Sequence, residues 1–113
     1  MHELAITENI LDIAVEYATQ AGAQRITDIS IVIGDLSSVV DDSVQFYFDF
    51  LSAGTLAEGA ELHFHRVAAR FRCRQCGQEF APHGMDWRCP GCQALGGEII
   101  AGKEFYVESI EVE

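Results

Sequence analysis

The sequence predicts an α+β fold: a small mixed sheet with two helices on one face, and a zinc-ribbon subdomain inserted between strands. Three observations carry this expectation. Two segments repeat apolar residues at helical spacing, several short segments alternate apolar with polar residues, and all four cysteines fall in one stretch as two Cys-x-x-Cys pairs. The expected division assigns residues 1–68 with 98–113 to the α+β body and residues 69–97 to the ribbon. A length of 113 residues suits one such domain with a small insert.

Leu4 to Ala18 reads as the first helix. Ile6, Ile10, Ile13 and Tyr17 repeat at steps of four, three and four, with Leu11, Ala14 and Ala18 beside them. Glu8, Asp12 and Glu16 form a charged stripe on the other side, and Gly22 supplies the stop. Ile26 to Ile33 reads as a strand, with Ile29, Ile31 and Ile33 on one face and Asp28 and Ser30 on the other. Asp41-Asp42 opens a second helix, in which Val44, Tyr47, Phe48 and Leu51 face a sheet and Gly54 terminates. From Ala60 to Val67, Leu62 and Phe64 alternate with Glu61, His63 and His65. After the cysteines come Glu98-Ile99-Ile100, a turn at Gly102-Lys103 and a last strand to Glu113. There Phe105 and Val107 have the opposite parity to Ile110 and Val112, so a bulge is expected near Glu108-Ser109.

Composition narrows the function. Eighteen Asp and Glu against seven Lys and Arg give a net charge of −11. Nucleic-acid binding needs cations to neutralise phosphates, so this balance argues against it and favours basic partners or metal cations. Arg70, Arg72, Arg74 and Arg88 are too few to reverse that, although they suggest a local basic patch for another protein. No apolar run approaches the roughly 20 residues of a membrane span. Met1-His2-Glu3 does not open a signal peptide, so the expected location is cytoplasmic.

In a reducing compartment disulfides are unusual, and the cysteine spacing is better explained by a metal. The pattern is Cys73-Arg74-Gln75-Cys76-Gly77, then Cys89-Pro90-Gly91-Cys92. Two residues between paired thiolates let a tight turn aim both sulfurs at one ion, and two such turns complete a tetrahedron. Gly77 and Gly91 give the backbone room to turn inward, where amides can hydrogen-bond the sulfurs. Four sulfur ligands leave no open position, which makes the expected zinc structural rather than catalytic. Rubredoxin-like iron and a labile dithiol pair are the alternatives for the same donor set.

The amino terminus has two readings. Glu3 is favoured in a first helical turn by the helix dipole. A free α-amine followed by His2 also forms a chelate through amine, backbone amide and imidazole nitrogens, a donor set suited to Ni(II) or Cu(II). His63 and His65, two apart on one strand face, read either as an exposed sheet face or as a second metal pair. His83, in the ribbon loop, is a candidate sensor of nickel or pH beside the zinc site.

Met1-His2-Glu3-Leu4, Ile33-Gly34-Asp35-Leu36-Ser37, Phe46-Tyr47-Phe48-Asp49, Gly54-Thr55 with Glu58-Gly59-Ala60, and Ser109-Ile110-Glu111-Val112-Glu113 together resemble the HypA/HybF family of hydrogenase nickel-insertion accessory proteins. The two Cys-x-x-Cys pairs fall where that family has them, and the resemblance covers essentially the whole chain. It implies a nickel metallochaperone that helps load the large subunit of NiFe-hydrogenases, with related members serving urease. It implies nickel held as transient cargo by Met1, His2 and Glu3 in the α+β domain, a structural zinc ribbon, and a nickel-handling GTPase as partner. Val40 stands where some family members carry an acidic residue that joins the nickel site, so the resemblance leaves the fourth nickel ligand unassigned.

Three functions fit the sequence: a metallochaperone, a rubredoxin-like electron-transfer protein, and a ribbon-based nucleic-acid adaptor. No Ser-His-Asp, Cys-His or P-loop pattern supports an enzyme.

Overall fold

The computed structural model describes residues 3–82 and 86–113. In chain order the elements are α1 (Glu3–Gln20), β1 (Ile26–Gly34), α2 (Asp41–Leu51), β2 (Glu61–Val67), β3 (Arg70–Arg72), β4 (Glu79–Phe80), β5 (Glu98–Ala101) and β6 (Phe105–Val112). The strands form two three-stranded sheets, ordered β2-β1-β6 and β4-β3-β5. The chain packs as two compact units, one of Met1–Val32, Ser38–His65 and Phe105–Glu113, the other of Ile33–Ser37 and Arg66–Glu104. The α+β reading, with two helices and a cysteine cluster, describes the protein.

In the first unit, α1 packs on α2 and on β6. Its buried face runs through Thr7, Ile10, Ala14 and Ala18, at steps of three, four and four. That stripe is rotated from the expected one: Tyr17 is 61% exposed, whereas Ala14 and Ala18 are fully buried. A line of fully buried alanines brings the backbone close to its neighbours and leaves no room for a ring, so Tyr17 turns outward. Thr7, polar and buried, donates its hydroxyl to the Glu3 carbonyl one turn back at 2.5 Å, which satisfies it without a tertiary partner.

Asp41 and Asp42 occupy the first turn of α2, where the helix dipole favours anions. Val44 and Phe48 are its buried residues, with Tyr47 and Leu51 half-buried beside them. β1 is the middle strand of its sheet, and Ile26, Ile29, Ile31 and Ile33 are fully buried. In β2, Leu62 is buried between exposed Glu61 and half-buried His63. Along β6 the burial changes phase at Glu108-Ser109: Phe105 and Val107 are half-buried before it and Ile110 after it.

In the second unit, β3 pairs antiparallel with β4, matching Phe71 to Phe80, and with β5, matching Phe71 to Ile99. β4 is not among the elements expected from sequence, because two residues are too few to show alternation. A small core of Phe71, Phe80, Cys73 and Cys89, with Leu36 and Ala94 against it, holds the unit together. The Phe71 ring lies 5.7 Å from that of Phe80 and 5.1 Å from that of Trp87. Ile33–Ser37 is stitched in by main-chain bonds: Gly34 N–H donates to the Glu104 carbonyl at 2.7 Å, Asp35 to Val67 at 2.9 Å, and Leu36 to Gly102 at 2.8 Å.

Candidate metal centre

Two turns of identical construction bring the four cysteines together. At the first, Cys73 Sγ accepts from Gln75 N–H at 3.4 Å, Cys73 C=O accepts from Gly77 N–H at 2.9 Å, and Cys73 N–H donates to the Gln78 carbonyl at 2.9 Å. At the second, Cys89 repeats each bond with residues two, four and five further on: Gly91 at 3.4 Å, Gln93 at 2.9 Å and Ala94 at 2.9 Å. The fourth bonded position after the leading cysteine requires a left-handed backbone at both turns, φ +79° at Gly77 and φ +65° at Gln93. The expected roles of the glycines therefore divide. Gly77 supplies the left-handed turn but gives its amide to a carbonyl, and Gln75 donates to the sulfur instead. Gly91 does donate to sulfur, and its bare α-carbon accommodates Gln78, whose Oε1 would lie 2.0 Å from an added β-carbon.

All four sulfurs lie within 4.8 Å of one another. Cys73 Sγ is 3.4 Å from Cys92 Sγ, and Cys76 Sγ is 3.6 Å from Cys89 Sγ. These separations are far beyond a disulfide bond of about 2.05 Å. They approach the edge of a tetrahedron with metal–sulfur bonds of about 2.3 Å, which is about 3.8 Å. Cys73 and Cys89 are buried in the aromatic core, while Cys76 and Cys92 are exposed. The donor set therefore fits a tetrahedral thiophilic ion, anchored on its core side and closed to further ligands.

Protonation of the metal-free cluster is uneven. Hydrogen bonds from the Cys76 and Gln75 amides hold the Cys73 thiol down to about 6, so it ionises first. The Ala94 amide pulls Cys92 down, but this is outweighed by the shared proton with Cys73, by desolvation and by its other cysteine neighbours, and Cys92 is pushed up to about 12. Metal binding must therefore expel protons from the outer thiols. The expected basic patch is partly neutralised: Arg70 and Arg72 share Glu79, at 3.8 and 3.5 Å, and Arg88 lies 3.2 Å from Asp86.

Of the residues read as a nickel site, Glu3 begins α1 and is half-buried. Met1 and His2 lie outside the described residues, as does His83. His63 meets a carboxylate. Its Nε2 sits 2.8 Å from Asp28 Oδ1, a neighbour across the sheet that one-dimensional spacing does not show. His65 is exposed.

The fold and this centre define an α+β protein with four clustered cysteines positioned to bind a metal. Residues 1–112 match the family described as hydrogenase/urease nickel incorporation, metallochaperone, hypA. Hydrogenase maturation factor HypA of Dehalococcoides mccartyi is 50% identical over 113 residues, covering 100% of this chain and 95% of the relative. Its counterpart in Caldanaerobacter subterraneus subsp. tengcongensis is 46% identical over 114 residues, covering 100% of both. In fold, the chain resembles the solution structure of the Ni metallochaperone HypA from Helicobacter pylori, with a TM-score of 0.68 and 22% identity over 99% of this chain and 97% of that one. A second solution structure of a HypA protein superposes with a TM-score of 0.75 and 23% identity, over 100% of this chain and 97% of that one. The chain belongs to the HypA family of nickel metallochaperones for hydrogenase maturation.

Proposed function

We propose that this protein binds Ni(II) at its amino terminus and hands it, without catalysing a reaction of its own, to the large subunit of a NiFe-hydrogenase during maturation. Family membership over residues 1–112 is the observation that carries the reading. The cysteine cluster holds zinc as a structural ion: four thiolates suit Zn(II), and a closed tetrahedron offers nothing to a cargo ion or a substrate. Tetrathiolate iron would fit the same sulfurs, and the colour of the isolated protein separates the two, since ferric tetrathiolate is red and Zn(II) is colourless. A nickel-handling GTPase is the partner that fits this role, and the cytoplasm is the compartment. No described helix is long and apolar enough to cross a membrane.

The nickel ligands proposed are the α-amine of Met1, the imidazole of His2 and an oxygen or amide of Glu3. Amine and imidazole lie in adjacent residues and need no folded scaffold to meet. Glu3, in the first turn of α1, fixes the third donor to a rigid element. Calorimetry with Ni(II) on three proteins tests this: native, His2→Ala, and a form with one residue added before Met1. Both changes should abolish tight binding and leave zinc content and fold intact, and affinity should fall as pH drops because both nitrogens must lose protons. Native affinity in both altered forms would remove nickel from the amino terminus.

A further inference from the structure

A second cluster of metal-ligating side chains lies outside the ribbon. Asp28 on β1 and Glu61 and His63 on β2 each offer a ligand atom, and these atoms lie within 4.8 Å of one another. β1 and β2 are neighbours in the first sheet. Glu61 and His63 are two residues apart and share a face, opposite buried Leu62. Strand backbones therefore hold all three α-carbons in fixed register, which a loop cluster would not.

The distances suit a cation with little rearrangement. Ligand atoms about 2.1 Å from an ion lie about 3.0 Å apart when adjacent around an octahedron. His63 Nε2 and Asp28 Oδ1 are 2.8 Å apart, close to that edge. All three ligand atoms lie within 4.8 Å of one another, a bound little beyond the roughly 4.2 Å between opposite ligands of the same ion, and Glu61, being exposed, is free to rotate inward. Charge favours the ion as well. His63 feels Asp28, Glu61 and also Glu111 of β6, three carboxylates around one imidazole. A protonated histidine neutralises one of them, whereas a divalent ion neutralises two.

We propose that Asp28, Glu61 and His63 form an open surface site for a first-row divalent cation, with water completing its shell. One imidazole with two carboxylates is a borderline donor set, suited to Ni(II), Co(II) or Zn(II) in preference to Cu(I) or Ca(II). The ion replaces the proton between His63 Nε2 and Asp28 and releases it to solvent. The Asp28 hydrogen bond, with help from Glu61 and Glu111, raises the His63 pKa above its usual 6.5, so protons compete with the ion and binding weakens as pH falls. The neighbouring Thr27 is neutral, its hydroxyl donating to the Glu111 main-chain carbonyl at 3.3 Å.

The site is tested in the zinc-loaded full chain carrying both His2→Ala and an added residue before Met1, so that success or failure of the amino-terminal site does not enter. Titration with Co(II) and Ni(II) is followed by calorimetry and by the histidine ring signals in NMR. One ion per chain should bind and shift the His63 ring. His63→Ala should weaken binding at least 100-fold, Glu61→Gln about tenfold, and His65→Ala not at all. Glu61→Gln alters only an exposed side chain, so it decides the matter even if His63→Ala perturbs the fold. Absence of saturable binding up to millimolar Co(II) and Ni(II), or affinity unchanged in Glu61→Gln, overturns the proposal. So does loss of binding in His65→Ala, which would make the site a histidine pair.

Discussion

Gly34 and Gly102 approach so closely that a β-carbon on Gly34 would fall 1.9 Å from the Gly102 carbonyl oxygen and 2.6 Å from the Lys103 nitrogen. The contact is backbone against backbone, so no side chain can move aside. It is also the point where Leu36 N–H donates to the Gly102 carbonyl, one of the three bonds that tie Ile33–Ser37 into the second unit. Gly34→Ala should therefore force the end of β1 and the Gly102-Lys103 turn apart and cost about 3 kcal/mol, the upper range for overpacking. Gly22→Ala is the control: its φ is +69° but nothing lies within 4 Å, so only the left-handed backbone is penalised, by about 1 kcal/mol. Urea unfolding of both variants measures the difference, and equal losses would mean that the close approach is not tight in solution.

The matched cysteine turns make a reciprocal prediction. Gly77 and Gln93 hold the same place in the two turns, both left-handed, but only one is a glycine. Gln93→Gly should relieve the strained backbone and, after the extra freedom of the unfolded chain is counted, stabilise by about 0.5 kcal/mol. Gly77→Ala, with open space around its β-carbon, should destabilise by about 1 kcal/mol. The resistance of the metal centre to a competing chelator reads both changes, and effects of the same sign would break the equivalence of the turns.

Removing one thiolate should unfold the second unit and spare the first. Cys89 is fully buried among Phe71, Phe80 and Cys73, so Cys89→Ser removes a ligand and places a hydroxyl in an apolar core. Structural zinc contributes roughly 10–16 kcal/mol of binding energy in small domains, far more than the ribbon's few aromatic contacts. Metal analysis should find zinc lost, and NMR should show residues 66–104 unfolded while α1, α2 and their sheet keep dispersed signals. Stoichiometric zinc with an unchanged ribbon spectrum would rule out the tetrathiolate.

These contrasts explain what was legible in the sequence. The cysteine turns could be read because local spacing dictates their bonds: every partner lies within five residues. The helices could be read because periodicity is also local, although the rotation of α1 could not, since only packing reveals that Ala14 and Ala18 are the close contacts and Tyr17 is not. Non-local pairing was opaque. Nothing in Glu98-Ile99-Ile100 says that it joins β3, and nothing in the alternation of β2 says that His63 meets Asp28 across the sheet. The left-handed backbone at Gln93 was equally hidden, because glutamine does not advertise it as glycine does.

The acidic face of α1 gives the last prediction. Glu8, Asp12 and Glu16 are all exposed, one turn apart along one side of the helix, in a chain of net charge −11. The opposite face is committed to burial through Ile10, Ala14 and Ala18, so the stripe is free to meet a partner. Charges arrayed in this way act on association rate and specificity more than on stability, and they are screened over about 8 Å at physiological ionic strength. Association with the proposed GTPase partner should therefore weaken as salt rises. Reversing the three residues to lysine should slow association at least tenfold at low salt while barely changing the melting temperature, because none is buried. The salt dependence should flatten in the same variant. Surface plasmon resonance across a salt series separates these effects, and association rates that match the unaltered protein at every salt concentration would place the partner on another surface.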